Sequence, residues 1–162
     1  MVAVAIYRRV IKELREINKT GNEFYHIEDL SDDSKILWEV VFSPPEGSPY
    51  HGGKFHLMVE FTKDYPFKPP QGYFKTQIYH YLVRFDESDN SWRFCNHCLF
   101  EEVDWSPARR LKDIFDTTFL KLFTDLSYCI DGPLRPSLAQ LCKENKELYI
   151  KNAKEETAKY SS

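Results

Sequence analysis

The stretch Gly52-Gly53-Lys54-Phe55-His56-Leu57-Met58-Val59-Glu60-Phe61, closed a few residues later by Tyr65-Pro66-Phe67-Lys68-Pro69-Pro70, decides the fold. Phe55, Leu57, Val59 and Phe61 alternate with Lys54, His56, Met58 and Glu60, a period of two that describes a half-buried strand with one wet face. Three prolines forbid helix across Tyr65 to Pro70, and a short strand, Gly72 to Thr76, follows them. Upstream, the Ser43-Pro44-Pro45-Glu46-Gly47-Ser48-Pro49 loop separates this strand from Ile36 to Phe42, which is dense in β-branched and aromatic residues. The Asp29 to Ser34 cluster reads as a turn back to a further extended segment, Phe24 to Glu28. Four antiparallel strands in a meander are expected.

Helices flank this meander on both sides in the chain. Tyr7, Val10, Ile11, Leu14 and Ile17 recur at helical spacing, while Arg8, Arg9, Lys12, Glu13, Arg15 and Glu16 fill the opposite face of a first helix ending near Gly21. Trp105-Ser106-Pro107 opens a long central helix whose apolar stripe is Leu111, Ile114, Phe115, Thr118, Phe119, Leu122, Phe123 and Leu126. Asp131-Gly132-Pro133 and Pro136 break the chain, and two helices, Ser137 to Glu144 and Lys146 to Lys159, finish it. From Ile78 to Asp104 no clean periodicity appears, and long loops inside compact domains are usually functional. The class is therefore α+β, with an N-terminal helix, a four-stranded antiparallel meander, a long central helix and C-terminal helices.

Length and charge narrow the function classes. The 162 residues show no repeat, low-complexity tract or linker, so residues 1–162 form one domain. A chain of this size buries about 70% of its unfolded surface and needs neither disulfides nor metal for stability. Its four cysteines are free for other uses. The net charge of −3 disfavours nucleic acid as a partner. No run approaches the about 20 apolar residues of a membrane span, and the Met1 to Ile6 start lacks a signal-peptide layout, so the cytosol or nucleus is the expected compartment.

Several separated motifs then occur in a characteristic order. Ser48-Pro49-Tyr50-His51-Gly52-Gly53-Lys54-Phe55, Tyr65-Pro66-Phe67-Lys68-Pro69-Pro70, Ile78-Tyr79-His80, Cys98-Leu99, Trp105-Ser106-Pro107-Ala108 and Pro133-Leu134-Arg135-Pro136 together make the chain resemble the ubiquitin-conjugating enzymes over essentially its whole length. The resemblance implies a cysteine that carries ubiquitin or a similar modifier as a thioester. It singles out Cys98, in the Cys-Leu pair shortly before Trp105-Ser106-Pro107. A thioester keeps the carried carboxyl activated, and a thiolate is both nucleophile and leaving group. The structural alternative for Cys98 is a small buried hydrophobe.

Two family features are altered. The usual His-Pro-Asn supplies an asparagine that steadies the catalytic loop and helps stabilise the oxyanion. Here Tyr81 and Leu82 follow His80, and neither provides an amide donor. His80 also stands 18 positions before Cys98, a longer interval than is typical of the family. A branch of the family anchored in the endoplasmic reticulum likewise lacks the tripeptide and has an asparagine nearer its cysteine, which makes Asn96 the candidate substitute. Asn90 reads as an ordinary loop residue. The family's acidic residue before Pro-Leu falls at Gly132, leaving Asp131 as its stand-in, although Asp131-Gly132-Pro133 also reads as a plain turn.

The resemblance assigns Arg8, Arg9 and Lys12 of the first helix to an activating enzyme, and Phe67, Pro107 and Ala108 to a ligase. A proline-flanked aromatic such as Phe67 suits an interface, unless it plugs its own core. No bound cofactor is implied, ATP being consumed upstream, and a substrate protein is the final acceptor. Two other readings stand beside this one. The chain can be a variant that has lost turnover and binds ubiquitin or partners. Alternatively, Cys95-Asn96-His97-Cys98 can form part of a zinc site. Cys129 and Cys142, near helical apolar positions, are expected in the core.

Overall fold

The computed structural model describes residues 4–161. Met1 to Ala3, the beginning of the start read above, lie outside the described residues, as does Ser162. Helix α1 spans Val4–Thr20 and is followed by strands β1 (Tyr25–Asp29), β2 (Ile36–Phe42), β3 (Phe55–Phe61) and β4 (Gln71–Phe74). Each pairs antiparallel with the next, with Val40 opposite Leu57 and Val59 opposite Gly72. Gly53 tolerates no side chain, because a Cβ there would lie 2.8 Å from Thr157 and 2.7 Å from the Phe55 ring.

The stretch without periodicity is not a loop. It contains a hairpin, β5 (Val83–Asp86) and β6 (Ser91–Phe94), that extends the sheet to six strands in the order β1-β2-β3-β4-β6-β5. The Asp86 carboxylate accepts from the Ser88 amide at 2.9 Å and from its hydroxyl at 2.6 Å, and Asn90 takes the left-handed conformation that lets the turn close. This hairpin accounts for the long interval between His80 and Cys98. Helix α2 (Asn96–Leu99) follows directly.

The central helix begins at Leu111, not at Trp105. Residues 105–110 form an extended and turning approach to it, Ser106-Pro107 being part of a turn closed by Arg109 N–H donating to the Ser106 carbonyl at 3.0 Å. The helix runs as α3 (Leu111–Ile114), a π segment (Phe115–Phe119) and α4 (Leu120–Thr124). Its expected stripe is buried, from Leu111, Ile114, Phe115 and Thr118 to Phe119, Leu122, Phe123 and Leu126, with the rings of Phe115, Phe119 and Phe123 against Phe42 of β2. Phe42 of β2 stacks on Phe119 with ring centroids 5.3 Å apart, an offset aromatic contact at the centre of the core. Helices α5 (Pro136–Glu144) and α6 (Lys146–Tyr160) complete the α+β fold.

One residue of α1 departs from its helical-wheel position. Glu13, placed by periodicity on the solvent face, is buried. Its carboxylate accepts from the Leu111 amide at 2.9 Å, from Arg9 Nε at 3.1 Å and from the Tyr65 hydroxyl. A buried carboxylate is tolerated when its lone pairs are satisfied in this way. Glu13 thereby joins the first helix to the proline-rich loop and to the start of the central helix. Tyr7, expected on the apolar stripe, is instead exposed.

Candidate active site

Strand β6 delivers Cys95 to the start of α2, where its amide donates to the Leu82 carbonyl at 3.2 Å. The Cys95 carbonyl accepts from the amides of Cys98 at 3.1 Å and Leu99 at 2.9 Å, closing a single turn. That turn points the Cys98 side chain inward, beside Leu99 and Phe100, where it is 8% exposed. The half-buried Cys95 thiol donates to the Cys98 sulfur at 3.2 Å. Cys129 lies near enough to the same thiol to act on its ionisation. Burial pushes the Cys98 thiol pKa far up, and the contacts with Cys129 and Cys95 add to the effect.

The wall opposite Cys98 is the segment after the central helix. The Tyr128 hydroxyl donates to the Cys98 carbonyl at 2.7 Å, while the Tyr81 hydroxyl donates to the Tyr128 carbonyl, also at 2.7 Å. The Tyr81 carbonyl in turn accepts from the amides of Leu134 and Arg135, both at 2.9 Å. Arg135 reaches back to the carbonyls of Ile78 at 2.9 Å and His80 at 3.3 Å. His80 is fully buried, its Nδ1 accepting from the Leu82 amide at 3.0 Å. Desolvation lowers its pKa to about 3, so it serves as a neutral structural acceptor.

A model of the family described as ubiquitin-conjugating enzyme matches residues 9–157. The chain belongs to this family. It is 34% identical over 158 residues to the Dictyostelium discoideum ubiquitin conjugating enzyme E2 B, covering 98% of this chain and 99% of that protein. A Plasmodium yoelii crystal structure assigned to the ubiquitin conjugating enzymes superposes with a TM-score of 0.82 at 26% identity, covering 100% of this chain and 99% of the other. The ubiquitin conjugating enzyme E2 domain from Toxoplasma gondii gives 0.74 at 27% identity, covering 96% and 99%.

For a ubiquitin-conjugating enzyme the replacement of Pro-Asn by Tyr81-Leu82 has two separable results. Tyr81 is tied to the loop after the central helix, its hydroxyl donating to the Tyr128 carbonyl. Leu82 is fully buried and offers no side-chain donor. Asn96 is exposed and lines a groove with Phe67, Pro69, Glu102 and Trp105. It sits two residues before Cys98, and side chains at that helical spacing do not face each other. Asp131 is exposed on the turn beyond Cys129 and pairs with Lys143 at 2.8 Å. That pairing lowers its pKa.

Of the expected docking residues, all but Arg9 are exposed. Arg8 and Lys12 are exposed, whereas Arg9 is engaged internally, pairing with Glu13 at 3.1 Å and donating to the Arg109 carbonyl at 2.9 Å. Phe67 is 76% exposed and plugs no core. Pro107 and Ala108 are exposed, and Ala108 shares a shallow depression with Arg9 and Lys12. Trp105 donates from its indole to the Pro66 carbonyl at 2.8 Å, which holds the two expected ligase loops side by side.

Cys142 is buried as expected, but Cys129 is not a core residue of a helix. It occupies a left-handed backbone position in the loop, with φ of 51°, and turns to Cys98. No sequence signal placed Tyr128 or Cys129 there, since both owe their position to the path of the chain after Thr124. Among the described residues no group of three or more His, Cys, Asp or Glu is placed to hold a metal ion. The zinc reading of Cys95-Asn96-His97-Cys98 therefore lacks a ligand set.

Proposed function

We propose that this chain accepts ubiquitin or a related modifier as a thioester on Cys98 and passes it to a lysine or to a ligase. The observation that carries the reading is the placement of Cys98: paired with Leu99, held by Tyr128, and set where β6 meets the loop after the central helix. The Cys98 sulfur attacks the carbonyl carbon of the modifier's thioester with the activating enzyme. The activating enzyme's sulfur leaves and the Cys98 proton passes to it through solvent. An acceptor amine then attacks the same carbonyl carbon, the Cys98 sulfur leaves, and a proton from the amine restores the thiol. ATP is spent by the activating enzyme, and this chain needs no bound cofactor. Arg8 and Lys12 serve the activating enzyme, with Arg9 held by Glu13 beside them, and Phe67, Pro107 and Ala108 serve the ligase. The working compartment is the cytosol or nucleus.

A thiol with a raised pKa is a poor leaving group, so the thioester discharges slowly unless a partner assists. The buried Leu82 leaves the family's amide-donor position empty of donors, which favours a second reading: charging occurs, but turnover waits for a ligase. In that role Asn96 and Asp131 act only if the ligase complex brings them to the thioester. Incubation with activating enzyme, ubiquitin and ATP tests the proposal. It predicts a thiol-sensitive adduct that is absent from Cys98→Ala, and discharge to free lysine that is slow until a ligase is added. No adduct, or an unchanged adduct in Cys98→Ala, refutes it.

A further inference from the structure

We infer that Cys95 and Cys98 form a reversible disulfide that takes the acceptor thiol out of use. The two sulfurs stand 3.2 Å apart in the reduced protein, across a turn closed by the Cys98 and Leu99 amides on the Cys95 carbonyl. A turn hydrogen-bonded in this way brings its first and fourth Cα atoms within about 7 Å, and a disulfide requires roughly 4.4–6.8 Å. Rotation of side chains brings the sulfurs to bonding distance without moving separate elements. Cys95 is half-buried and Cys98 is buried, so an oxidant meets Cys95 first.

The oxidant is a low-molecular-weight disulfide of the glutathione type. The Cys95 thiolate attacks one of its sulfurs, forming a mixed disulfide and releasing one thiolate. Cys98 then gives up its proton and attacks the Cys95 sulfur, releasing the second thiolate. Two protein thiols have lost two electrons and two protons, and one small disulfide has become two small thiols. Excess reductant reverses both steps. Neither Cys129 nor Cys142 is consumed. The loss of charging rests on the reading of Cys98 as acceptor; the disulfide itself does not.

The full chain is incubated with glutathione disulfide in the absence of activating enzyme, alkylated, and weighed. Free thiols are expected to fall from four to two, with no glutathione retained, and peptide mapping without reduction is expected to link Cys95 to Cys98. Dithiothreitol restores all four. Cys95→Ser is expected to form no internal bond and to retain glutathione only as an adduct, whereas Cys129→Ser still forms the Cys95–Cys98 link. An unchanged thiol count, persistent glutathione adducts on the unmodified chain, or a link through Cys129 or Cys142 overturns the inference. Failure of the reduced protein to charge would count only against the proposed function.

Discussion

The hydroxyl of Tyr128 donates to the carbonyl oxygen of Cys98 at 2.7 Å, across an interval of 30 residues. With the Tyr81 bond to the Tyr128 carbonyl it forms a two-step tether from the residue after His80 to the candidate acceptor. Tyr128→Phe keeps the ring and removes the donor. Loss of one such bond is expected to cost about 1 kcal/mol, or about 2–4 °C in Tm for a chain of this size. Tyr81→Phe is expected to act similarly, and the double variant to fall short of the sum because both bonds hold one loop. Thermal unfolding of the three variants checks this.

Glu13 connects α1, the Phe67 loop and the central helix. Glu13→Ala leaves the donors of Tyr65, Arg9 and Leu111 without their acceptor and is expected to destabilise by about 3 kcal/mol. Glu13→Gln, which keeps an acceptor oxygen, is expected to recover part of the loss. Urea unfolding midpoints separate the two. Equal losses would show that charge, and not hydrogen-bond acceptance, is what α1 contributes at this position.

His80 gives the fold an acid-sensitive element. Its folded pKa of about 3 lies below the ordinary value of 6.5, so the unfolded chain binds a proton there between these limits and the folded chain does not. Its contribution is fully present above about pH 6.5 and declines as pH falls towards 3, by up to ~1.4 kcal/mol per pH unit. His80→Asn, which has no titrating ring, is expected to flatten the fall in stability between pH 6.5 and 4. Parallel slopes for the two proteins would exclude His80 as the source.

The raised pKa of Cys98 dictates a pH dependence of charging. Far below its pKa the thiolate fraction grows about tenfold per pH unit, so the rate of attack on the activating enzyme's thioester is expected to climb through pH 7 to 8.5 without levelling. Single-turnover charging at saturating activating enzyme measures it. A plateau below pH 8 would mean that the acceptor thiol is not the buried one.

Much of the fold is legible in the residues because local pattern and tertiary burial agree. Phe55, Leu57, Val59 and Phe61 are buried along β3 as the period of two requires, although Met58, read as part of the wet face, is buried too, and the stripe from Leu111 to Phe123 is buried. The misreadings arise where partners come from far along the chain. A helical wheel sends Glu13 to solvent, since its donors at Tyr65 and Leu111 are invisible to local periodicity. The β5–β6 hairpin escapes because its strands are four residues each and Arg84 and Phe85 are both exposed, although the turn formers Asp86 to Asn90 between Val83 and Phe94 mark it. At the site, the Cys98-Leu99 register is readable from the chain. The approach of Cys129 and Tyr128 is set by the left-handed turn after the central helix and has no local signature.

Serine substitution tests the central assignment most directly, because it changes the chemistry of the adduct at the residue that carries it. Cys98→Ser and Cys95→Ser are each charged with ubiquitin, and the adducts are treated with dithiothreitol and with hydroxide. If Cys98 carries the modifier, Cys98→Ser forms an oxyester that resists the thiol and yields to base, while Cys95→Ser retains a thiol-sensitive thioester. A thiol-sensitive adduct on Cys98→Ser, with a thiol-resistant one on Cys95→Ser, would transfer the role to Cys95 and contradict the account.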